Sequence, residues 1–203
     1  MARLLSRVNT YDGLRYGEHP AVHAWELLNE PRASRLDREG RALRSWVDEV
    51  GAVVKAHAPM HLVGTGEEGF GPSFGLNTAS PFVDLASVHF YPELWGTPPE
   101  HIASEGARWF SEHAALAREL GKPLFIGEFA LRNEGALALD ERRALYRGWF
   151  RCAWRSGIGA SAPWMFAYDD DHTFYFRDGT VPADARNRYA DILIESAALT
   201  RTR

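Results

Sequence analysis

His23-Ala24-Trp25-Glu26-Leu27-Leu28-Asn29-Glu30-Pro31-Arg32 is the stretch whose reading decides the fold. The apolar run from Val22 to Leu28 has strand length. Pro31 cannot donate to a sheet ladder, so pairing stops there and the chain leaves the strand with Asn29 and Glu30 at its carboxyl end. A second stretch of the same design is Lys122-Pro123-Leu124-Phe125-Ile126-Gly127-Glu128-Phe129, an apolar strand ending in Glu128. Between and around them the pattern predicts strands at 61–65, 84–90 and 159–166, beside those at 22–28 and 123–128.

The segments between strands have helical period. Residues 38–57 place Leu43, Trp46, Val47, Val50 and Val54 on one face, and Pro59 closes the run. Residues 102–120 form a second helix, ended by Gly121 at a left-handed cap. Residues 140–156 form a third, with Asp140 as N-cap and Gly157 as stop. A last helix covers 184–198. Leu4, Leu5 and Val8 read as the end of a helix, followed by the polar turn Asn9 to Gly13. Residues 66–80 read as a glycine-rich polar loop. Strand alternating with helix is the signature of a parallel sheet with crossover helices.

Composition sets the outer bounds. At 203 residues, 45% hydrophobic and a net charge of −4, the chain is one ordinary soluble domain with enough apolar residues for a sizeable core. The charge balance gives no reason to expect nucleic acid or an anionic membrane as partner. A single cysteine, Cys152, excludes an internal disulfide framework and reads as a small buried hydrophobe on the 140–156 helix. There is no apolar run long enough to cross a membrane, and no signal peptide is visible near Met1. Localisation stays unassigned.

The residues at the strand ends are polar or aromatic: Asn29, Glu30, Glu67, His89, Tyr91, Glu128 and Trp164. In a (β/α)₈ barrel the carboxyl-terminal face holds the active site. Two strand-end carboxylates on separate βα units are what acid/base-plus-nucleophile chemistry on a glycosidic bond requires. Glu67 and Glu68 read as loop or rim charges, and Asp169-Asp170-Asp171-His172 as a turn or cleft rim rather than a cation site. Trp95, Phe166 and Tyr168 stand evenly between packing and sugar contact. No His/Cys/Asp cluster has metal-ligand spacing.

Taken together, Trp25 to Arg32, His89-Phe90-Tyr91-Pro92, Ile126-Gly127-Glu128-Phe129 and the late Trp164 resemble glycoside hydrolase family 5, in the clan of (β/α)₈ retaining enzymes. Within it the chain is most similar to endo-β-1,4-mannanases, on Asn9 with Tyr16, on His61 to Phe70 and on Tyr91-Pro92-Glu93-Leu94-Trp95. The resemblance implies Glu30 as acid/base and Glu128 as nucleophile. It implies Asn29 bound to the 2-hydroxyl of the sugar being cleaved, and His89 and Tyr91 beside the nucleophile. Trp164 would be the aromatic floor and Arg32 would lie towards the leaving group. A retaining pair sits about 5–5.5 Å apart, with Glu30 holding a proton at rest. The substrate implied is a mannan-type polysaccharide or oligosaccharide, with no cofactor. Another β-1,4-glycanase activity, such as endoglucanase, and an inactive sugar-binding fragment are the alternatives.

The resemblance covers five βα units, matching strands four to eight of a barrel that takes about 250 residues. The fold expected is therefore α/β, a partial (β/α)₈ barrel with an open five-stranded parallel sheet. The residues 1–203 form one partial catalytic domain that resembles the carboxyl-terminal part of a larger enzyme. The Arg and His that family members supply from the first three units have no counterpart. The outer strands, 22–28 and 159–166, would keep open apolar edges, suited to self-association or to complementation by another chain.

Overall fold

The computed structural model describes residues 1–32, 37, 39–132, 136–164 and 190–200. In chain order the elements are α1 (Ala2–Leu5), β1 (Ala24–Glu26), α2 (Arg41–His57), β2 (Leu62–Gly64), α3 (Ser73–Thr78), β3 (Ala86–Phe90), α4 (Ile102–Glu119), β4 (Leu124–Phe129), α5 (Leu139–Arg155), β5 (Ala160–Pro163) and α6 (Ala190–Thr200), with short 3₁₀ turns at Tyr16–Glu18 and Pro99–His101. This is the strand–helix alternation of a partial (β/α)₈ barrel. The chain divides into two compact units, Met1–Val88 with Leu116–Phe125, and His89–Ala115 with Ile126–Arg203.

In the first unit β1 and β2 pair in parallel, Ala24 opposite Leu62 and Glu26 opposite Gly64. Their buried face forms a core with α2: Leu27, Val63, Val83, Val47, Val54, Ala58 and Leu5. The sequence period that predicted α2 is the one that buries Val47 and Val54. Its first turn is capped from outside the helix. The Asp37 carboxylate accepts the N–H groups of Ala42 at 2.9 Å and Leu43 at 3.1 Å, two of the donors that a helix start leaves orphaned.

The second unit has an aromatic core. Phe90 meets Trp149, Trp95 and Phe110 edge-on at ring separations of 5.1, 5.3 and 5.3 Å. Phe129 meets Phe150 at 5.5 Å and Trp149 at 6.1 Å. Edge-to-face pairs of this kind contribute about 0.5–1.5 kcal/mol each beyond the area they bury. Trp95 also lies 4.9 Å from Trp109, which places it within this packing. Much of the chain's aromatic richness thus serves its core.

The open five-stranded sheet expected from sequence is interrupted. β1 and β2 form one sheet and β3, β4 and β5 another, in that order. Between β2 and β3 only Gly64 and Leu85 make a parallel bridge. The cause lies at Asp84. The Val63 carbonyl accepts from both Asp84 N–H (2.8 Å) and Leu85 N–H (3.1 Å), while the Asp84 carboxylate takes the Val63 N–H at 2.8 Å. Two residues face one, as in a bulge, and a side chain replaces a ladder partner. Lys55 pairs with the same Asp84 carboxylate.

Other boundaries shift for local reasons. The β1 strand is three residues long, not seven, and α3 forms inside the stretch expected to be loop. Helix α5 starts at Leu139 after Ala138 rather than at an Asp140 cap; the Glu141 carboxylate reaches back to the Ala138 N–H at 2.8 Å. Cys152 is half-buried rather than buried. Gly121 and Gly157 do adopt left-handed conformations, φ 69° and 76°, after their helices. Of the last helix expected at 184–198, residues 184–189 lie outside the described part and the rest is helical.

Candidate active site

Four of the seven candidate residues lie in the second unit. Glu128 is the penultimate residue of β4, and His89 and Tyr91 flank the last residue of β3. The Tyr91 hydroxyl donates to Glu128 Oε2 at 2.5 Å. His89 Nδ1 stands 3.6 Å from the same oxygen. His89 is 1% exposed, and its carbonyl accepts the indole N–H of Trp109 at 3.0 Å. A rigid aromatic helix face therefore fixes the strand end from behind. The Glu128 side chain keeps 15% exposure, enough to meet a ligand. Trp164 is the first residue after β5, tied by its N–H to the Phe129 carbonyl at 2.9 Å, and is 39% exposed. That exposure separates it from the buried aromatic core.

The other three candidates lie in the first unit, just past β1. Asn29 is exposed. Glu30 is held by its backbone: its N–H donates to the Gly66 carbonyl at 2.8 Å, continuing the ladder in which Leu27 N–H meets the Gly64 carbonyl. Its φ of 46° is left-handed, unusual for a non-glycine residue. Strained backbone of this sort clusters at functional sites, where the surrounding structure over-determines it. The Glu30 side chain is 26% exposed, with an Arg32 nitrogen 4.0 Å from Oε2. Arg32 also pairs with Glu68.

Two carboxylates read from sequence as loop-structuring or rim charges are buried. Glu67 is 2% exposed and Glu68 is 9%. The Asn77 amide donates to Glu67 Oε1 at 2.7 Å, and the Thr65 hydroxyl stands 3.5 Å from Oε2. Both acids line a cleft of about 360 Å³ with Arg32, Phe70, Pro72 and Ser73. Nothing in the local sequence reveals this, because Asn77 reaches Glu67 only once α3 has formed. Of the remaining candidates, Phe166, Tyr168 and Asp169-Asp170-Asp171-His172 lie outside the described residues.

Burial pushes the Glu67 carboxyl above the ordinary glutamate value, against the opposing hydrogen bonds from Asn77 and Thr65. The folded state therefore holds this proton more tightly than the unfolded chain does. Stability from it is full below the ordinary glutamate range and is lost as pH rises through the raised value. Glu67→Gln keeps the acceptor for Asn77 and removes the titration. The melting temperature of the variant is expected to gain on that of the parent as pH rises from 4, then level off. Parallel melting curves across pH 4–8 measure it, and a constant offset would contradict the assignment.

Residues 1–162 match the family model described as GH family 5 β-mannosidase-like. The chain belongs to glycoside hydrolase family 5. It is 30% identical to mannan endo-1,4-β-mannosidase 5 of Arabidopsis thaliana, over 97% of this chain and 52% of that protein. It is 35% identical to mannan endo-1,4-β-mannosidase 1 of Oryza sativa subsp. japonica, over 70% of this chain and 38% of that protein. The crystal structure of the endo-β-1,4-mannanase from Thermotoga petrophila superposes with a TM-score of 0.82 at 30% identity, over 98% of this chain and 48% of that one. The chain spans about half the length of the curated relatives it matches.

Proposed function

We propose that this chain carries the catalytic pair of a retaining β-1,4-mannanase. The observation that carries the reading is the grip of Tyr91 on one oxygen of Glu128. The Tyr91 hydroxyl and His89 Nδ1 both address Oε2. That leaves Oε1 as the attacking atom and fixes the plane of the carboxylate. Glu128 Oε1 bonds to the anomeric carbon as the glycosidic C–O bond breaks, and Glu30 gives its proton to the leaving oxygen. Glu30 then takes a proton from water, whose oxygen attacks the same carbon and releases Glu128. Two displacements at one carbon retain its configuration. Asn29 would bind the 2-hydroxyl, Trp164 would stack on the sugar's C–H face, and Arg32 would meet the leaving-group side.

Mannan is the substrate favoured, because the relatives at 30% identity or more are named for its hydrolysis. The test is covalent trapping with 2-deoxy-2-fluoro-β-mannosyl fluoride, in which the fluorine slows the second displacement. The expected result is one sugar added per chain, mapped by mass spectrometry to the peptide containing Glu128, together with release of reducing ends from mannan in preference to carboxymethylcellulose. A label on another residue, an inverted product, or neither label nor hydrolysis would overturn the reading.

A further inference from the structure

Glu93 ties the segment that carries Tyr91 to the segment that carries Glu128. β3 and β4 are neighbours and rise together, from Ala86 N–H on the Pro123 carbonyl (3.0 Å) to Ala130 N–H on the Phe90 carbonyl (3.2 Å). In a parallel ladder the next bonds would run from the N–H of residue 92 to the Ala130 carbonyl, and from Arg132 N–H to the carbonyl of residue 92. Residue 92 is proline and has no N–H to give. Its carbonyl accepts from Thr97 N–H at 2.9 Å instead. The backbone ladder therefore ends, and Arg132 N–H donates to Glu93 Oε2 at 2.5 Å. A carboxylate stands where a strand partner would have been.

The N–H groups that leave β4 are thus held from different elements. Ala130 N–H goes to the end of β3, Leu131 N–H to the Tyr146 hydroxyl of α5 at 3.0 Å, and Arg132 N–H to Glu93. Of these partners, Glu93 belongs to the turn that starts at Tyr91. That turn is closed on itself: Trp95 N–H meets the Tyr91 carbonyl at 3.1 Å, and Gly96 N–H meets the Glu93 carbonyl at 3.3 Å. Trp95 anchors it among Phe90 and Trp109. Two struts then join the turn to β4 and its exit: the Tyr91 hydroxyl on Glu128 Oε2, and Arg132 N–H on Glu93 Oε2. The tyrosine hydroxyl lies far from its own backbone, so a small rotation of the turn carries it out of hydrogen-bond geometry. We propose that Glu93 is a positioning residue for hydrolysis, locking the 91–97 turn to the exit of β4 and so holding the Tyr91 hydroxyl on Glu128. The kinetic consequence rests on the reading of Glu128 as the attacking group; the hold on Tyr91 does not.

Glu93→Ala is expected to lower kcat on mannan about 10-fold with KM changed less than about two-fold, because a misplaced group is missed chiefly in the transition state. Glu93→Gln keeps an acceptor for the Arg132 N–H and should recover most of the rate. In a Tyr91→Phe background, Glu93→Ala should cost less than about two-fold, since the hydroxyl it positions is already gone. The hold on Tyr91 is also read without turnover. With the tyrosine Cζ carbons isotopically labelled for NMR, the resonance missing from Tyr91→Phe is that of Tyr91. Glu93→Ala should move it towards its position in Glu128→Ala, and Glu93→Gln should leave it in place. Circular dichroism checks each fold. Glu93→Asp, which keeps the charge and falls one methylene short, replaces the alanine variant if that one unfolds. A Tyr91 resonance unmoved in the folded variants, or losses that multiply in the double variant, would overturn the proposal. If the parent neither hydrolyses mannan nor takes the fluorosugar label, the hydrolytic reading fails and the resonance alone decides for Glu93.

Discussion

Glu128→Ala is expected to lower mannan hydrolysis by roughly 10⁴-fold or more, the scale seen when a covalent nucleophile is removed. The chain's own geometry says why the loss should be that deep. His89 and Tyr91 both address Glu128 Oε2, and an alanine there gives them no carboxylate to address. Removing the carboxylate leaves a buried histidine and a tyrosine hydroxyl around a void. A small anion can enter that void, so azide should restore part of the rate and give the azido-sugar of configuration opposite to the substrate. Tyr91→Phe should cost less, about 10²-fold, because it removes one donor and leaves the nucleophile. Initial rates on mannan, with the azide product identified by NMR, measure all three effects. Equal losses in both variants, or no rescue, would count against Glu128 as the attacking group.

The outcome for sequence reading depends on the range of each interaction. Apolar runs bounded by proline or glycine located all five strands to within a few residues, because strand burial is written into consecutive side chains. Gly121 and Gly157 marked helix ends for the same local reason. The interruption at Asp84 was not legible, since it depends on a carboxylate capturing the N–H of Val63 from a different strand. Helix α3 was hidden by Pro72 and Gly75, which lower helix propensity, in a segment where Phe74, Asn77 and Thr78 are buried. The same long-range closure hid Glu67. A charged pair in a glycine-rich stretch reads as solvated until Asn77 is brought to it. The strand-exit positions of Glu30 and Glu128 needed only local signals, while the partners of each needed the fold.

Gly66→Ala is expected to be the most damaging single-methyl change near the candidate site, destabilising the chain by more than about 2 kcal/mol. Gly66 adopts φ +75°, a conformation that costs an L-residue about 1–2 kcal/mol by itself. A Cβ there would also lie 2.1 Å from the Leu28 carbonyl oxygen, which is backbone and cannot swing aside. Relief requires β1 and the loop after β2 to separate. That same loop accepts the Glu30 N–H through the Gly66 carbonyl, and its Gly66 N–H is fixed at 3.0 Å by the Ser87 hydroxyl. The clash therefore falls on the contact that holds Glu30 in its left-handed conformation. Gly71→Ala is the matched control: its φ is +69°, but nothing lies within 4 Å of the added methyl, so it should pay only for conformation. Urea unfolding of the two variants separates the terms. A midpoint shift for Gly66→Ala well beyond that for Gly71→Ala is the expected result, and equal shifts would mean that the two strand exits part without cost.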